Sequence, residues 1–193
     1  MKACMAIRTA VLVAATATLA ACTSGTVVNT GDTPQQTAPP TSAPVPQFGT
    51  ANLVNAADYA APVDGRTAYY FSTPSGRWHC AILPRDRAGC ESADGLDSGI
   101  GITGAPDVIV DGEPTTPNAI VVDRDHDAAF VVLPQTQFSL DTAAVLPFGK
   151  VLAVAGFRCN VQEEHGVSCV RELTGKGFTF SGDGYTLQYT DVP

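Results

Sequence analysis

The chain has 193 residues, of which 45% are hydrophobic and only 16% are charged, against a usual charged share of about 25%. Its 19 acidic and 11 basic residues give a formal net charge of −8, which repels phosphate backbones and argues against a nucleic-acid-binding protein. The 18 glycines and 14 prolines favour turns and short strands over helical bundles or coiled coils.

Residues 1–21 have the features of an export signal. Lys2 and Arg8 provide a positive start, and the small apolar residues 9–20 form a run too short to span a bilayer of about 30 Å. The run ends in Leu-Ala-Ala-Cys at residues 19–22, which resembles the lipobox of bacterial lipoproteins, where the cysteine is acylated and becomes the mature N-terminus. A cysteine suits this reaction because its thiolate forms the thioether to lipid. We predict a lipid anchor at Cys22 and no transmembrane helix; the alternative is an ordinary secretory signal in which Cys22 has no role.

Residues 22–51 are predicted to be the lipidated cysteine and a disordered tether. The segment 23–47 contains six Thr and five Pro, and Asp32 is its only charge. Such a segment buries too little apolar surface to offset the entropy of ordering it. We expect it to act as a spacer between membrane and domain; its Thr and Ser residues near Pro are also candidate sugar acceptors.

Residues 52–193 are predicted to form a single, mainly β domain of antiparallel hairpins, arranged as a sheet, a sandwich or a small barrel. Short helices are expected at residues 52–61 and 139–145, the second with Ser139 as its N-cap. Strands are expected in the β-branched and aromatic runs 69–72, 77–83, 107–110, 119–122, 128–133 and 151–161. A last hairpin should join Phe178 and Phe180 to Tyr185, Leu187 and Tyr189, with positive φ angles in the turn Gly182-Asp183-Gly184.

Four cysteines besides Cys22 remain after export, which is typical of a disulfide-bonded domain. They allow three connectivities, but Cys80 and Cys90, like Cys159 and Cys169, are ten residues apart around a local turn. Pairing Cys159 with Cys169 across an antiparallel hairpin puts two valines, residues 161 and 167, opposite each other on the same face. We therefore predict bridges 80–90 and 159–169. Zinc is disfavoured because the chain has no C-x-x-C and the compartment is oxidising.

Three segments lie around these cysteines: Phe-Ser-Thr-Pro-Ser-Gly at residues 71–76, Leu-Pro-Phe-Gly at 146–149 and Thr-Gly-Lys-Gly-Phe at 174–178. Together they resemble small exported actinobacterial lipoproteins of uncharacterised function. Where such proteins often continue with Gly-Asn-Ile, this chain has Gly-Arg-Trp at 76–78. The resemblance implies an exported lipoprotein and brings no reaction, cofactor or site residue with it.

Two motifs suggest ligands but lack the context these ligands need. Residues 99–104 fit the dinucleotide fingerprint G-x-G-x-x-G, yet the prolines and glycines that follow prevent the helix that must receive the pyrophosphate. Asp123, Asp125 and Asp127 have the spacing that begins a calcium loop, but Ala128 and Pro134 stand where an EF-hand needs Gly and Glu. A charged hairpin turn is favoured, and these carboxylates are kept as the only metal candidates. No cofactor is predicted.

No catalytic motif surrounds the three histidines, His79, His126 and His165, although a spatial arrangement of Ser, His and a carboxylate is recognised by geometry, not by sequence. Trp78 and Tyr70 are candidates for a ligand groove, with burial in the core as the favoured alternative.

The sequence therefore predicts an extracytoplasmic, membrane-anchored lipoprotein, a non-catalytic binding or cell-envelope module whose partners are the lipid bilayer and an envelope protein or glycan. The alternative is a cell-envelope hydrolase acting on a wall glycan, peptide or ester.

Overall fold

The structure, a computed structural model, describes residues 47–193. The signal peptide, Cys22 and most of the predicted tether lie outside the described residues. The regular secondary structure of the described part consists of short strands and two 3-10 turns, so the fold is mainly β, as predicted. In chain order these are β1 (Ala60–Val63), β2 (Arg66–Ser72), β3 (Trp78–Leu83), β4 (Arg87–Ser92), β5 (Val108–Val110), β6 (Glu113–Thr115), β7 (Ala119–Asp123), β8 (Ala129–Val131), β9 (Ala144–Val145), β10 (Lys150–Val154), β11 (Phe157–Gln162), β12 (Gly166–Arg171), β13 (Gly177–Ser181) and β14 (Gly184–Thr186).

The strands form two larger sheets and one small hairpin. The first sheet has the order β1-β2-β3-β4-β7-β8, with β9 added in parallel to β2, and its other neighbours are antiparallel. The second sheet is an antiparallel meander in the order β10-β11-β12-β13-β14. Strands β5 and β6 pair only with each other. The described strands form no closed barrel, so the sheet or sandwich alternative is the correct one.

Two-residue turns set the register of the second sheet. Between β10 and β11, Val154 pairs with Phe157, and the intervening Ala155 and Gly156 have φ angles of 56° and 82°. Two consecutive positive φ values define the tight hairpin turn whose twist matches that of the flanking strands. The single strand expected at residues 151–161 is therefore two strands, because the sequence Ala-Gly makes a turn inside one apolar run.

The two larger sheets pack face to face over one apolar core. Alternate residues of the central strands point into it, and all four bridged cysteines have no exposed surface. The pattern is the same in both sheets: Ile82 lies opposite Ala88 next to one bridge, and Val161 lies opposite Val167 next to the other. Each bridge thus joins two neighbouring inner strands of its sheet within the core.

A loop covers the outer face of the first sheet. Phe138, which has no exposed surface, packs there against a second apolar cluster that includes Tyr70 and Val121. The ring can approach the sheet because Gly89 has no side chain: a Cβ atom there would lie 2.6 Å from Phe138 Cζ. The glycine therefore creates the seat of the aromatic ring.

The outer face of the second sheet is covered by polar contacts instead. Asn160, with no exposed surface, donates from Nδ2 to the Tyr189 hydroxyl at 2.9 Å and to the Thr190 carbonyl at 3.0 Å. The Thr179 hydroxyl donates to the Gln188 carbonyl at 2.8 Å. Burial and a hydrogen bond to Asp191 raise the pKa of Tyr189, so its hydroxyl stays neutral at physiological pH. These bonds fix the C-terminal segment on the sheet.

The predicted helices are wrong. Residues 52–61 contain only a 3-10 turn, Ala56–Tyr59, before strand β1 begins at Ala60. Residues 139–145 contain a turn and strand β9, because Ser139 is bonded to a distant strand and does not cap a helix. In the last hairpin, the two-residue turn forms without a left-handed φ at Gly182, Asp183 or Gly184, contrary to expectation. Strand β14 ends at Thr186, so Leu187 and Tyr189 lie after the strand and not in it.

Candidate functional site

Both predicted disulfides are confirmed by the structure. Cys80 is bonded to Cys90, and Cys159 to Cys169, with Cα atoms 4.0 and 4.1 Å apart. Each pair faces directly across its hairpin, at the register that the spacing of ten residues predicts. With no exposed surface, the bridges are part of the core and are out of reach of a bound ligand or a reductant in the folded state.

Trp78 and Tyr70 do not line one groove. Trp78 lies on the inner face of the first sheet, where its Nε1 donates to the Ile100 carbonyl at 2.8 Å and its ring meets that of Phe180 edge-on. Tyr70 lies in the cluster on the outer face. Burial, with the nearby carboxylates of Asp64 and Glu91, raises the pKa of the Tyr70 hydroxyl. The two rings are on opposite faces and 94% or more buried, so the groove prediction is corrected to two separate core roles.

Two of the three carboxylates of the β7–β8 loop are engaged, Asp123 within the loop and Asp127 with a lysine of the β12–β13 loop. Asp123 Oδ1 accepts from the backbone N–H of Asp125 at 2.8 Å and of His126 at 2.6 Å, and His126 Nδ1 is 2.9 Å from Oδ2. Asp127 forms an ion pair with Lys176 at 2.6 Å. Within residues 47–193, no group of three or more His, Cys, Asp or Glu side chains is placed to hold a metal ion. The geometry fits the charged turn that the sequence favoured.

The histidines are separate, but one has a chemically notable neighbour. His126 and His165 lie in exposed turns. His79 is half-buried on the outer face of β3, and its Nδ1 is hydrogen-bonded to Ser139 Oγ. Glu91, 1% exposed, is the residue directly opposite His79 on β4. The structure therefore brings a serine, a histidine and a glutamate together from three places in the sequence.

The same residues also hold the covering loop in place. The backbone N–H of Gln137 donates to Glu91 Oε2 at 3.2 Å, and Ser139 is bonded to His79. Phe138, between these two contacts, fills the seat at Gly89. A hydrogen bond on each side of the aromatic ring fixes the loop to the sheet, which accounts for the positions of Glu91 and His79 without a reaction.

A cleft at one end of the sandwich is lined by three arginines. Arg85 lies in the β3–β4 turn, Arg124 follows β7 and Arg171 ends β12, so the first sheet contributes two and the second sheet one. The cleft has a volume of about 390 Å³, and the residues that complete its lining are Ala155, Gly156, Phe157 and Leu173. No carboxylate belongs to this lining, in a chain with 19 acidic residues.

Three acidic residues of the surrounding loops pair with other cations, while the exposed Asp125, next to Arg124, forms no ion pair within the described residues. Asp86 is bonded to Arg87 at 3.2 Å, Asp127 to Lys176, and Glu172 to Arg158 at 3.2 Å. Within the described part of the chain, none of the three cleft arginines forms a salt bridge. Their guanidinium groups are therefore left to an external anion or to solvent.

Two of the five described non-glycine residues with a positive φ line this cleft. Arg85 and Ala155 have φ angles of 64° and 56°, a conformation in which non-glycine residues cost about 1–3 kcal/mol each. Arg124 Nη1 donates to the Arg85 carbonyl at 3.4 Å, so the strained turn also positions a second arginine. Such strain is more common at functional sites than elsewhere.

The three arginines could not be identified from the sequence, because they belong to no motif. Arg85 and Arg124 are 39 residues apart, and Arg124 and Arg171 are 47 residues apart. One signal is present in the sequence: each lies at the end of a strand or in the turn that follows it, where loops from both sheets can meet.

No family model, no curated protein and no solved structure matches this chain. The resemblance to exported actinobacterial lipoproteins thus stays a prediction. No helix within residues 47–193 has the length and apolar character needed to cross a membrane.

Proposed function

We propose that the chain is an extracytoplasmic lipoprotein, anchored through acylated Cys22 to the outer face of the cytoplasmic membrane, and that its β sandwich is a non-catalytic binding module of the cell envelope. The observation that carries the binding function is the cleft lined by Arg85, Arg124 and Arg171 without a carboxylate.

The ligand of this cleft is an anion. Three guanidinium groups that line one cleft repel each other, and the lining has no carboxylate to offset this repulsion. Arginine offers forked donors that match carboxylate and phosphate oxygens. The nearby carboxylates of Asp86, Asp127 and Glu172 are paired elsewhere, and the exposed Asp125 is not part of the lining, so an external anion supplies the missing charge.

Export and anchoring are supported by different residues. The lipobox-like sequence before Cys22 accounts for anchoring, and the two buried bridges suit a chain that folds in an oxidising compartment. Two or more acyl chains, such as palmitate, hold a protein stably on a bilayer where one chain does not. A net charge of −8 gives no electrostatic attraction to anionic lipids, so the acyl chains do the anchoring.

Fractionation of cells that express the full chain or its Cys22→Ala variant tests the anchor. The wild type should be found in the membrane fraction with an acylated Cys22 peptide and bridges 80–90 and 159–169, mapped by mass without reductant. The variant should lose the lipid and leave that fraction. A free Cys22 thiol in the membrane-bound wild type contradicts the lipoprotein proposal.

Crosslinking in living cells tests the binding module. The wild type should capture one envelope protein or glycan reproducibly, whereas a variant with Arg124→Gln and Arg171→Gln should not. Equal capture by wild type and variant, or none above a lipid-anchored control protein, counts against a ligand in the arginine cleft.

A cell-envelope hydrolase is the second candidate, and the hydrogen bond between Ser139 and His79 is the observation that favours it. In that reaction Ser139 is the nucleophile and His79 the base that accepts its proton. The test is turnover of wall ester, peptide or glycan substrates by Ser139→Ala and His79→Gln variants, compared with His165→Gln, which changes an exposed histidine elsewhere. Loss of turnover in the first two alone supports the hydrolase; unchanged turnover removes it.

A further inference from the structure

The geometry points to a phosphomonoester, a phosphoryl group with one substituent, as the anion that the cleft of Arg85, Arg124 and Arg171 binds. This inference rests on the proposed binding function and adds the chemical class of the ligand. The observations that support it are the charge of the lining, the separate origins of the three arginines in the fold and the volume of the cleft.

The charge of the cleft fits a phosphomonoester better than a carboxylate. The lining has three positive charges and no negative one. A carboxylate neutralises one of them, whereas a phosphomonoester has a charge of about −1.5 to −2 at pH 7. With a phosphomonoester bound, about one of the three positive charges is left uncompensated, at the edge of a cleft that is open to solvent.

The positions of the three arginines in the fold also favour a phosphomonoester. The arginines come from three separate places on two sheets, the β3–β4 turn, the β7–β8 loop and the end of β12. A carboxylate has two oxygens in one plane, which one forked guanidinium can occupy. A phosphomonoester has three terminal oxygens pointing in different directions, so that each can accept from a different arginine.

The overall charge of the protein limits the size of the ligand. A net charge of −8 repels a long polyanion along all of its length beyond the cleft. A single phosphoryl group inside about 390 Å³ meets the arginines first and is screened from the distant acidic residues. Polyphosphate and nucleic acid are therefore excluded as preferred ligands.

Apolar residues of the cleft lining indicate where the substituent of the phosphoryl group would bind. Phe157 and Ala155 line the cleft, and Leu173 stands at its rim with 66% of its surface exposed. An exposed leucine beside cationic groups suits a ligand that has an apolar or sugar-like part next to its phosphoryl group. Two sources share this chemistry, the headgroup of phosphatidic acid and a soluble sugar or polyol phosphate.

Calorimetric titration of the full chain in a non-ionic detergent tests the inference. The probes are inorganic phosphate, glycerol 3-phosphate, acetate and a short-chain phosphatidic acid kept below its micelle concentration. Glycerol 3-phosphate should bind at least tenfold more tightly than acetate. Arg124→Gln, Arg171→Gln and Arg85→Asn should each weaken its binding at least tenfold; asparagine is chosen because it tolerates the positive φ at position 85.

Two further variants separate recognition from bulk charge. Lys150→Gln removes one positive charge from an exposed site at the opposite end of β10, and it should leave binding within twofold. Arg124→Lys keeps the charge but loses the fork, so it should bind more weakly than the wild type and more tightly than Arg124→Gln. Thermal unfolding of each variant shows that it is folded.

The outcomes distinguish the inference from the function it rests on. Equal binding of acetate and glycerol 3-phosphate overturns the phosphomonoester and leaves an anion site. No binding of any probe, or an equal loss in Lys150→Gln, overturns both. Tighter binding of phosphatidic acid than of glycerol 3-phosphate supports the inference with a lipid source, and equal binding supports it with a soluble source.

Discussion

Removal of one disulfide should cost the protein a large share of its stability, and the cost should be the same for either bridge. The perturbation is a pair of double variants, Cys80→Ala with Cys90→Ala and Cys159→Ala with Cys169→Ala. Both bridges close loops with a sequence separation of 10. On the chain-entropy model, a loop of this length stabilises the folded state by about 3 kcal/mol.

Packing adds to this loss in both variants. All four sulfurs are fully buried between the sheets, so alanine leaves small cavities at the centre of the core. Domains of this size unfold with about 5–15 kcal/mol. A loss of 3 kcal/mol or more therefore removes between a fifth and more than half of the total.

Urea denaturation of the full chain without reductant measures the effect. The free energies of unfolding of the two double variants should lie below that of the wild type by about 3 kcal/mol and within about 1 kcal/mol of each other. Each double variant should still lose stability on reduction, because it keeps the other bridge. A loss under about 1 kcal/mol in either variant, with the bridge formed in the wild type, refutes the reasoning that loop closure dominates.

Three other predictions follow from the faces of the sheets and from the β7–β8 loop. Phe138→Ala should destabilise the fold by about 3–5 kcal/mol in urea melts. Gly89→Ala should cost less in that background than in the wild type, because the ring it would clash with at 2.6 Å is gone, although the clash with the Ile120 carbonyl oxygen at 2.8 Å remains; an unchanged cost contradicts the proposed seat. Asn160→Ala should cost about 1–3 kcal/mol by the same assay, because it leaves buried polar partners unpaired, and a neutral effect contradicts that role. Burial alone raises the pKa of Asp123, but hydrogen bonds from His126 and Asp125 outweigh it and hold the pKa below its usual value of about 3.9. The ionised carboxylate therefore stabilises the fold at neutral pH, and this stabilisation is lost as the pH falls through the folded pKa. Asp123→Asn should therefore be less stable than wild type at pH 7, with a gap that closes as the pH falls through the folded pKa of Asp123; a gap independent of pH contradicts the assignment.

The disulfide register could be predicted from the sequence because it depends on local information. A separation of ten residues around a turn, with apolar residues two positions inside each cysteine, fits one antiparallel pairing. The sheet faces that Trp78 and Tyr70 occupy could not be predicted in the same way, because they depend on how β2 pairs with β3. Phe71, and not Tyr70, lies opposite Cys80, so Tyr70 points away from the core that Trp78 enters.

The features that could not be predicted depend on contacts between distant residues. Ser139 precedes a stretch that favours a helix, yet its side chain is hydrogen-bonded to His79, 60 positions away. The neighbouring Phe138 packs the same loop against the sheet. The arginine cleft is of the same kind, because it exists only where turns of one sheet meet turns of the other. Periodicity indicates which face a residue occupies within a strand but not which turns are neighbours in space.

One arrangement of five antiparallel strands occurs twice in the fold, as β2-β3-β4-β7-β8 and as β10-β11-β12-β13-β14, each with a bridge between its second and third strands. The inner-face partners correspond as well: Cys90 lies opposite Ile120 in the first, and Cys169 lies opposite Phe178 in the second. The arginines of the cleft do not follow this repeat, since Arg85 is in a turn after the second strand and Arg171 ends the third. Residues that serve packing are repeated because both sheets have the same core to fill. Arg85 and Arg171 are not repeated, because they lie in or beside turns, which vary more than the strands they connect.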